Sequence, residues 1–336
     1  MTKREPILVE VVRGGMVESY HHGEMVIMDI KGSVIKSWGD PDKKVYARSA
    51  LKLLQALPLI ETGAAEALKI SDEEITLACA SHSSSPEHIE RVKAWLNRLG
   101  LSESDLECGA CAPIGMNGSK DFLSSKMSPT AFAHPCSGNH AGFLATALFM
   151  KEELRGYIER GHPAQQRIEK TVSEMAEFDL SSVPVGIDGC GIPVYGFPLK
   201  NLALAMAKFA NPEGLPSKRV EAIKRIISAI KKHPKMLAGE NRFDTTLIEA
   251  TQGEVIIKGG IEGMYIAIIP SLGYGAALKI NDGSTQASEI ACGALLNQLG
   301  VLSEQAQSSL SNFLNPKIVN FVGKVVGERR SVVAEF

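Results

Sequence analysis

Residues 253–282, GEVIIKGGIEGMYIAIIPSLGYGAALKIND, contain three short apolar runs that are separated by glycine-containing turns. Runs of this length that are bounded by Gly, Pro and Asn are typical of β-strands, and turns this short favour antiparallel pairing. The following stretch, SEIACGALLNQLG at 288–300, has the pattern of a helix. We therefore predict three consecutive antiparallel strands followed by a helix near the C-terminus.

The N-terminal residues 6–40 contain a second set of short β-branched runs, ILVEVV, MVIMDI and SVIKSW, and predict an antiparallel meander. Residues 49–240 carry mainly helical patterns instead. Strands at both ends of a chain with helices between them indicate an α+β fold. We expect one antiparallel sheet built from residues 6–40 and 253–298, helices packed on it, and an inserted helical region. Because no repeat or flexible linker interrupts the chain, residues 1–336 are predicted to form a single unit.

The charge balance of the chain is nearly neutral, with 36 Lys and Arg against 38 Asp and Glu and a net charge of −2. This excludes the sequence-wide basic field that nucleic acids and anionic membranes select, and it favours a small neutral or zwitterionic ligand. No apolar stretch reaches the roughly 18 residues of a membrane span, and the N-terminus has no cleavage signal. We therefore expect a cytoplasmic protein. Its six cysteines are thinly spread along the chain, which argues against a disulfide framework and favours reduced thiols.

A serine and a lysine lie three residues apart in YARSALKLLQALPL, at 46–59, where the chain is otherwise apolar. In a helix that begins near Ser49, the Lys52 amine would lie on the same face as the Ser49 hydroxyl. That is the geometry of a serine nucleophile with a lysine base, which acts at neutral pH when burial or a nearby cation lowers a lysine's pKa. The plainer alternative is that Ser49 caps the helix and Lys52 faces solvent.

A second lysine stands at the end of the predicted strand EVIIK, in the sequence Lys258-Gly259-Gly260. S-x-x-K together with K-T-G on a strand is the signature of penicillin-binding proteins and class A β-lactamases, and here glycine replaces the threonine. Ser81 follows the apolar run ITLACA and is a candidate for passing protons between the two lysines. Its neighbour His82 is a candidate ligand for a substrate or an ordinary loop histidine.

Two cysteines stand in glycine-bounded turns, Cys136 in CSGNHAG and Cys190 in GIDGCGIP. Glycine beside cysteine allows close backbone approach, and cysteine thiolates are strong zinc ligands. The two residues are therefore candidate metal ligands or buried thiols in tight turns, and the sequence leaves both open. A helix that starts at Ser137 could instead present its backbone N–H groups to a ligand carboxylate.

Six motifs, in their order along residues 7–330, resemble the rhizobial-type L-asparaginases, also called the asparaginase II family. They are YARSALKLLQALPL, CASHSSSPEH, CSGNHAG, GIDGCGIPVYGFPL, HPKMLAG and KGGIEGMYIAI. The resemblance implies a serine-β-lactamase-like fold, a homodimer, and hydrolysis of L-asparagine to L-aspartate and ammonia. It implies no organic cofactor.

The resemblance also implies two catalytic Ser-Lys pairs, Ser49 with Lys52 and Ser81 with Lys258. Ser49 is the predicted nucleophile and Ser81 the alternative one. A glutaminase or a β-lactam hydrolase on the same scaffold is the alternative enzyme, because sequence does not fix the substrate. A non-catalytic protein that binds an amino acid is the alternative of another class.

The resemblance implies a zinc ion held by two cysteines and a lysine, at the positions of Cys136, Cys190 and Asn139 in this chain. Asparagine stands here where the family has lysine, and it binds zinc weakly, so we expect a weakened, altered or absent zinc site. A zwitterionic substrate requires a partner of each sign, and we predict Arg48 for its carboxylate and Asp188 for its ammonium group. The predicted substrate-binding set is Arg48, His82, Asp188 and Asn139.

Overall fold

The computed structural model describes residues 5–113 and 128–333. Its strands are β1 (Ile7–Arg13), β2 (Met16–Asp29), β3 (Val34–Trp38), β4 (Lys44–Tyr46), β5 (Val185–Ile187), β6 (Pro193–Pro198), β7 (Ile256–Gly260), β8 (Met264–Ile269), β9 (Tyr274–Ile280), β10 (Lys317–Val319) and β11 (Val325–Ser331). Its α-helices are α1 (Lys52–Gln55), α2 (Leu57–Glu61), α3 (Ala64–Ala67), α4 (Asp72–Ala78), α5 (Pro86–Arg98), α6 (Ser137–Met150), α7 (Pro163–Ala176), α8 (Leu199–Ala210), α9 (Ser217–Lys232), α10 (Pro234–Ala238), α11 (Phe243–Ala250), α12 (Thr285–Gln298), α13 (Glu304–Ser309) and α14 (Ser311–Leu314). Short 3₁₀ helices lie at Arg48–Leu51 and Glu103–Asp105.

The chain divides into two compact units. The first consists of Met1–Ala50, Gly196–Asn211 and Thr246–Phe336, and the second of Leu51–Tyr195 and Pro212–Thr245. The first contains the main sheet, and the second contains most of the helices. The single unit predicted for the whole chain stays a prediction. Across the two described ranges, no helix combines the length and the apolar character needed to cross a membrane.

The first unit is built on an antiparallel sheet with the strand order β10-β11-β1-β2-β9-β8-β7, and β3 also pairs with β2. Both ends of the chain contribute, because Val9 of β1 faces Ser331 of β11 and Val26 of β2 faces Ala277 of β9. Strand β8, MYIAII, is buried at every position, as expected where both faces of a sheet are covered. The predicted α+β class, with one antiparallel sheet from both chain ends, is confirmed.

The sheet extends further than the sequence patterns predict. Strands β10 and β11 join it after residues 253–298, the last segment that was assigned to it. Strand β11, VVGERRS, carries three charged residues and is not buried at any position, so it lacks the apolar signal of a strand. Its place is set by pairing with β1, which the local sequence does not reveal.

Helices α8 and α12 both pack on strands β8 and β9. Helix α8 comes closest to the sheet at Gly275, where a Cβ atom would lie 2.1 Å from Ala207 N and 2.2 Å from Ala203 O. No side chain fits between backbones at that separation, so this helix–strand contact requires glycine.

Gly275→Ala should therefore lower the free energy of unfolding by about 3 kcal/mol, because the added methyl group forces helix α8 away from strand β9. Urea unfolding followed by circular dichroism measures the change. Gly161→Ala is the matched control, since nothing lies within 4 Å of its added Cβ. Equal stability of the two variants would contradict the close packing at Gly275.

Helix α6 is a buried helix of the second unit, and every residue from Ser137 to Ala147 is buried. It packs against helices α2, α3, α4, α5 and α7. Its contact with α4 is close at Gly138, where a Cβ atom would lie 2.5 Å from Leu77 O. The end of α4 therefore meets the start of α6, and these two termini carry Ser81 and Cys136.

The first part of the predicted helical region, residues 49–68, forms as several short segments. Helix α2 begins at Leu57 with Pro58 in its first turn, where a missing backbone N–H costs nothing. The predicted start of an α-helix near Ser49 is wrong. Residues Arg48–Leu51 form a 3₁₀ turn, and Arg48 has a left-handed backbone with φ of +50°.

Candidate active site

Lys52 is a buried cation in the second unit. It opens helix α1 and is 2% exposed. Its Nζ donates hydrogen bonds to Ala80 O at 2.6 Å, Ser81 Oγ at 3.1 Å and Cys136 Sγ at 3.0 Å. Burying an ammonium group is costly unless it is hydrogen-bonded, and these acceptors meet that need. The alternative in which Lys52 faces solvent is wrong.

The serine bonded to Lys52 differs from the predicted one. The three acceptors use all three N–H donors of the ammonium group, which leaves none for the hydroxyl of Ser49. The spacing of Ser49 and Lys52 along one helix predicted a hydrogen bond between them. The Lys52 side chain instead donates hydrogen bonds to Ser81 and Cys136, which come from distant parts of the chain.

Ser81 lies in the loop between helices α4 and α5 and is partly exposed. Its backbone N–H donates to Leu237 O at 3.0 Å, and the N–H of His82 donates to Pro135 O at 3.1 Å. Two other segments of the second unit thus hold the loop by hydrogen bonds. The loop places the partly exposed Ser81 hydroxyl within hydrogen-bond distance of the buried Lys52.

His82 does not have the substrate-binding geometry that we predicted from the sequence. Its side chain is 0% exposed. Its Nε2 lies 2.9 Å from Ser137 Oγ, and its Nδ1 accepts a hydrogen bond from Ser84 N–H at 3.2 Å. Because both ring nitrogens are engaged inside the protein, neither is available to a substrate.

Cys136 precedes helix α6 and is buried, and its backbone N–H donates to His134 Nδ1 at 3.0 Å. The neighbouring Cys190 thiol and the Lys52 ammonium hold the pKa of Cys136 well below its ordinary value, although burial opposes them. The Cys136 sulfur and burial raise the pKa of Cys190. The lower pKa of the pair therefore belongs to Cys136 and the higher one to Cys190. Neither cysteine forms a disulfide.

The residues around Cys136 do not fit a zinc ion in this arrangement. Within residues 5–113 and 128–333, no three His, Cys, Asp or Glu side chains are grouped so that they could hold a metal. Asn139 donates from Nδ2 to Ala78 O at 2.8 Å, and its buried Oδ1 has no hydrogen-bond partner there. Two sulfurs and one amide oxygen fall short of the usual four zinc ligands. The Lys52 ammonium, 3.0 Å from Cys136 Sγ, would also repel a cation.

His140 on helix α6 is a fully buried neutral histidine. Its Nδ1 lies 2.7 Å from the Tyr157 hydroxyl, which accepts a hydrogen bond from Glu107 N–H at 2.8 Å. Burial raises the pKa of Tyr157, so its hydroxyl stays protonated. Burial also lowers the pKa of His140 to about 3. The buried Nε2 has no hydrogen-bond partner among the described residues.

Acid should destabilise the protein through His140. Between its unfolded pKa of about 6.5 and its folded pKa of about 3, the unfolded chain binds one more proton, so the free energy of unfolding falls as the pH falls. The stabilisation is fully present above pH 6.5, and about 2 kcal/mol of it should be lost at pH 5. Urea unfolding of His140→Asn, whose Oδ1 can accept from Tyr157, should show a weaker pH dependence. An unchanged dependence would contradict the buried neutral ring.

Ser49 lies in the first unit, after the left-handed backbone of Arg48. A non-glycine residue in this conformation costs about 1 kcal/mol or more and persists where packing holds it, often at functional sites. The packing partner is the end of strand β7. A Cβ atom at Gly260 would lie 2.9 Å from Ala47 O and 3.1 Å from Ala50 N. Strand β7 therefore ends directly against the segment that carries Ser49.

Lys258 precedes Gly260 by two residues and leaves strand β7 on the same face. It is 2% exposed, and its Nζ donates to Gly259 O at 2.6 Å. The face of β7 that meets the Ser49 segment is thus the face that carries Lys258. Ser49 and Lys258 both belong to the first unit.

Asp188 lies in the turn between strands β5 and β6, two residues before Cys190, and is partly exposed. Its Oδ1 accepts a hydrogen bond from Gly189 N–H at 2.6 Å. Arg48 is also partly exposed, whereas Asn139 is buried and offers only its unpartnered Oδ1. Substrate binding by Arg48, Asp188 and Asn139 stays a prediction.

The L-asparaginase II family matches residues 9–331 of the chain. The chain belongs to this family. The resemblance indicated by the six motifs is thereby confirmed. A search of curated protein sequences finds no match.

Several solved structures are similar to this asparaginase II chain at low sequence identity. The native form of a protein named Mglu in 4.3 M NaCl has 14% identity and a TM-score of 0.47, covering 83% of this chain and 61% of its own. A beta-lactamase from Mycobacterium bovis has 11% identity and a TM-score of 0.41, covering 87% and 95%. A D-alanine carboxypeptidase from Burkholderia cenocepacia has 14% identity and a TM-score of 0.37, covering 81% and 93%. The chain thus spans about three fifths of Mglu.

Two features of this asparaginase II chain are not predicted from its sequence. The first is the hydrogen bond from Lys52 to Cys136, because the sequence pattern at Cys136 indicates only a metal ligand or a buried thiol. The second is His88, whose ring stacks on His82 with centroids 4.9 Å apart. His88 belongs to the quoted motif CASHSSSPEH, so a second histidine six residues after the first was the available signal.

Proposed function

We propose that the chain hydrolyses L-asparagine to L-aspartate and ammonia through a serine acyl-enzyme. The observation that carries the proposal is the hydrogen bond of 3.1 Å between Nζ of the buried Lys52 and Oγ of the partly exposed Ser81. A lysine buried behind a serine is an arrangement for moving protons at a nucleophilic centre. Membership of the L-asparaginase II family supports an amidohydrolase.

The proposed reaction requires the neutral form of Lys52, which arises when its ammonium group gives one proton to Cys136 Sγ and so gains a lone pair. Ser49 Oγ then attacks the side-chain amide carbon of asparagine, while its proton passes to this lone pair. The proton then moves through the Ser81 hydroxyl to the amide nitrogen, the C–N bond breaks, and ammonia leaves. An ester between Ser49 and the aspartyl group remains. Water attacks this ester with Lys52 and Ser81 as the base, and the proton taken from water passes to Ser49 Oγ as the ester bond breaks and L-aspartate is released. The buried Lys258 contributes positive charge to the reaction.

The developing oxyanion needs backbone N–H donors that are fixed before the reaction. We assign this role to the Ser49 N–H and to an N–H that follows Lys258. The contact of Gly260 with the backbone at Ala47 and Ala50 supports the assignment, because both donors belong to the same unit. Arg48 and Asp188 are proposed to bind the substrate's carboxylate and ammonium groups, with Asn139 as a further contact.

The test is a comparison of L-asparagine, L-glutamine and a chromogenic cephalosporin as substrates of the purified protein, with ammonia release measured for the two amides. We expect the highest kcat/KM for asparagine. A higher value for glutamine would make the protein a glutaminase, and turnover of the cephalosporin alone would make it a β-lactam hydrolase. Calorimetric binding of asparagine without turnover would indicate an amino-acid-binding protein.

Metal dependence is tested in the same assay. Zinc at Cys136 and Cys190 is not part of the proposed reaction, because the donor set around them is incomplete. We expect activity in EDTA to equal the untreated activity. Activity that EDTA removes and zinc restores would establish a metal site.

The proposal also includes a cytoplasmic homodimer, as the resemblance to the asparaginase II family implies. Sedimentation equilibrium of the purified protein should give twice the chain mass of 36.1 kDa. A mass that equals a single chain would contradict this part of the proposal.

A further inference from the structure

The loop that carries Ser81 contains a buried histidine for which the proposed reaction has no use. The loop, residues 79–85, joins helix α4 to helix α5. His82 is its buried centre, and the hydroxyl of Ser84 donates to Ala133 O at 2.6 Å. The loop is rich in serine but is not a solvated polar segment, and its hydrogen bonds are made within the second unit.

The hydrogen bonds of the His82 ring determine its tautomer. Ser84 N–H can only donate, so Nδ1 is the unprotonated acceptor at 3.2 Å. The ring proton is therefore on Nε2 and is donated to Ser137 Oγ at 2.9 Å, while the Ser137 hydroxyl donates onward to Phe132 O at 2.9 Å. Every polar atom of this chain of bonds has a partner. Burial, with help from His88 and Lys52, also holds the pKa of His82 well below its ordinary value.

His88 supports the ring of His82 from one side. The two rings are stacked with an angle of 11° between their planes. His88 Nε2–H donates to Lys235 O at 3.0 Å, and Nδ1 accepts from the Ser85 hydroxyl at 2.6 Å. The stack is therefore tied to helix α10, whose Leu237 carbonyl also accepts the N–H of Ser81.

The residue that ends helix α10 also lies against this loop. Gly239 has φ of +116°, and a Cβ atom there would lie 2.1 Å from Ser83 Oγ. Ser84 itself has a left-handed backbone with φ of +60°. The Ser84 residue that adopts this conformation donates its N–H to the His82 ring. A left-handed backbone costs free energy for serine, so the hydrogen bond to Nδ1 forms at a strained residue.

We propose that His82 is a positioning residue, which joins the Ser81 loop to helix α6 and keeps the Ser81 hydroxyl within hydrogen-bond distance of Lys52. The bond to Ser137 anchors the loop to the first residue of α6, next to Cys136, the other partner of Lys52. A displacement of about 1 Å at such a hydroxyl is sufficient to reduce a rate about 10²-fold. This inference rests on the proposed function for its kinetic consequence, but not for its structural one.

Three substitutions separate the two bonds of the ring. In His82→Gln, the side-chain amide nitrogen can reach the position of Nε2 and donate to Ser137. In His82→Asn, the side-chain oxygen can replace Nδ1 as the acceptor for Ser84 N–H, but the bond to Ser137 is lost. His82→Leu removes both bonds at similar volume. Leu96→Ala on helix α5 is the control for stability alone, because Leu96 is buried and takes part in none of these hydrogen bonds.

Steady-state kinetics with asparagine should show a loss of kcat of about 10²-fold in His82→Leu and His82→Asn, with KM changed less than about threefold. His82→Gln should recover at least about one tenth of the wild-type kcat. Leu96→Ala should lower the unfolding midpoint in urea but keep its kcat. A folded His82→Leu protein with wild-type kcat would overturn the proposal, and so would a kcat loss in Leu96→Ala as large as in His82→Leu.

Amide hydrogen exchange of residues 80–85, measured by mass spectrometry, tests the same role without catalysis. We expect faster exchange in His82→Leu than in the wild type, and near-wild-type protection in His82→Gln. Equal exchange in all variants would overturn the proposal. A wild-type protein that hydrolyses no amide, yet shows the expected exchange pattern, would refute the proposed function while supporting His82 as the residue that holds the loop.

Discussion

Lys52→Met should reduce the turnover of asparagine by at least about 10³-fold while the protein still folds. Methionine matches the length of lysine and suits a buried site, but it can neither accept a proton from a serine nor donate one to the leaving nitrogen. General acid–base catalysis of this kind contributes about 10²- to 10⁴-fold to a rate. The substitution also leaves Ala80 O and Ser81 Oγ without their donor, at a cost of about 1 to 3 kcal/mol in stability.

The controls for Lys52 separate its charge from its proton transfer. Lys52→Arg keeps a positive charge but cannot become neutral at any pH of interest, so it should be as inactive as Lys52→Met. Lys208→Met removes another buried lysine, on helix α8 of the first unit, and should retain full activity. The measurement is kcat for ammonia release, with circular dichroism to verify folding. An active Lys52→Arg enzyme would show that charge alone is required and that Lys52 is not the base.

The parts of the fold that the sequence predicted are those with a strong local pattern. Strands β7 to β9 are short apolar runs between turns, and helix α12 follows them at Thr285–Gln298, where the sequence pattern predicts a helix. Strand β11 could not be predicted because its position depends on pairing with β1, more than 300 residues earlier. Its own sequence also lacks the row of apolar residues that would mark one buried face of a strand.

The candidate site shows the same division. The burial of Lys52 could be predicted because its neighbours in LKLLQALPL are apolar. Its partners could not, because Ser81 and Cys136 lie 29 and 84 residues away and are brought together only by the contact of α4 with α6 at Gly138. The spacing of three residues indicated Ser49 as the hydroxyl nearest to the Lys52 amine. Spacing within one segment cannot reveal acceptors from other segments, which here take the hydrogen bonds of that amine.

The complete burial of His82 could not be predicted for a related reason. A histidine between serines is typical of an exposed loop, and exposure would have left its nitrogens to a substrate. The loop is buried because α10 and the residues before α6 cover it, supplying Leu237 O and Pro135 O as acceptors. Those acceptors are backbone carbonyls, which carry no residue-type signal, so no motif in the sequence could indicate them.

Ser49→Ala should abolish the acyl-enzyme, whereas Ser81→Ala should only slow its formation. In the proposed reaction Ser49 forms the ester, so its loss should lower kcat at least about 10³-fold. Ser81 passes protons, and without it Lys52 keeps its bonds to Ala80 O and Cys136 Sγ and remains in place, so a loss of about 10²-fold is expected. Mass spectrometry of protein quenched during turnover of a slowly hydrolysed aspartyl β-ester should locate the aspartyl group on the peptide that contains Ser49. An aspartyl group on Ser81 would reverse the assignment, because the only serine that the structure bonds directly to Lys52 within the described residues would then be the nucleophile.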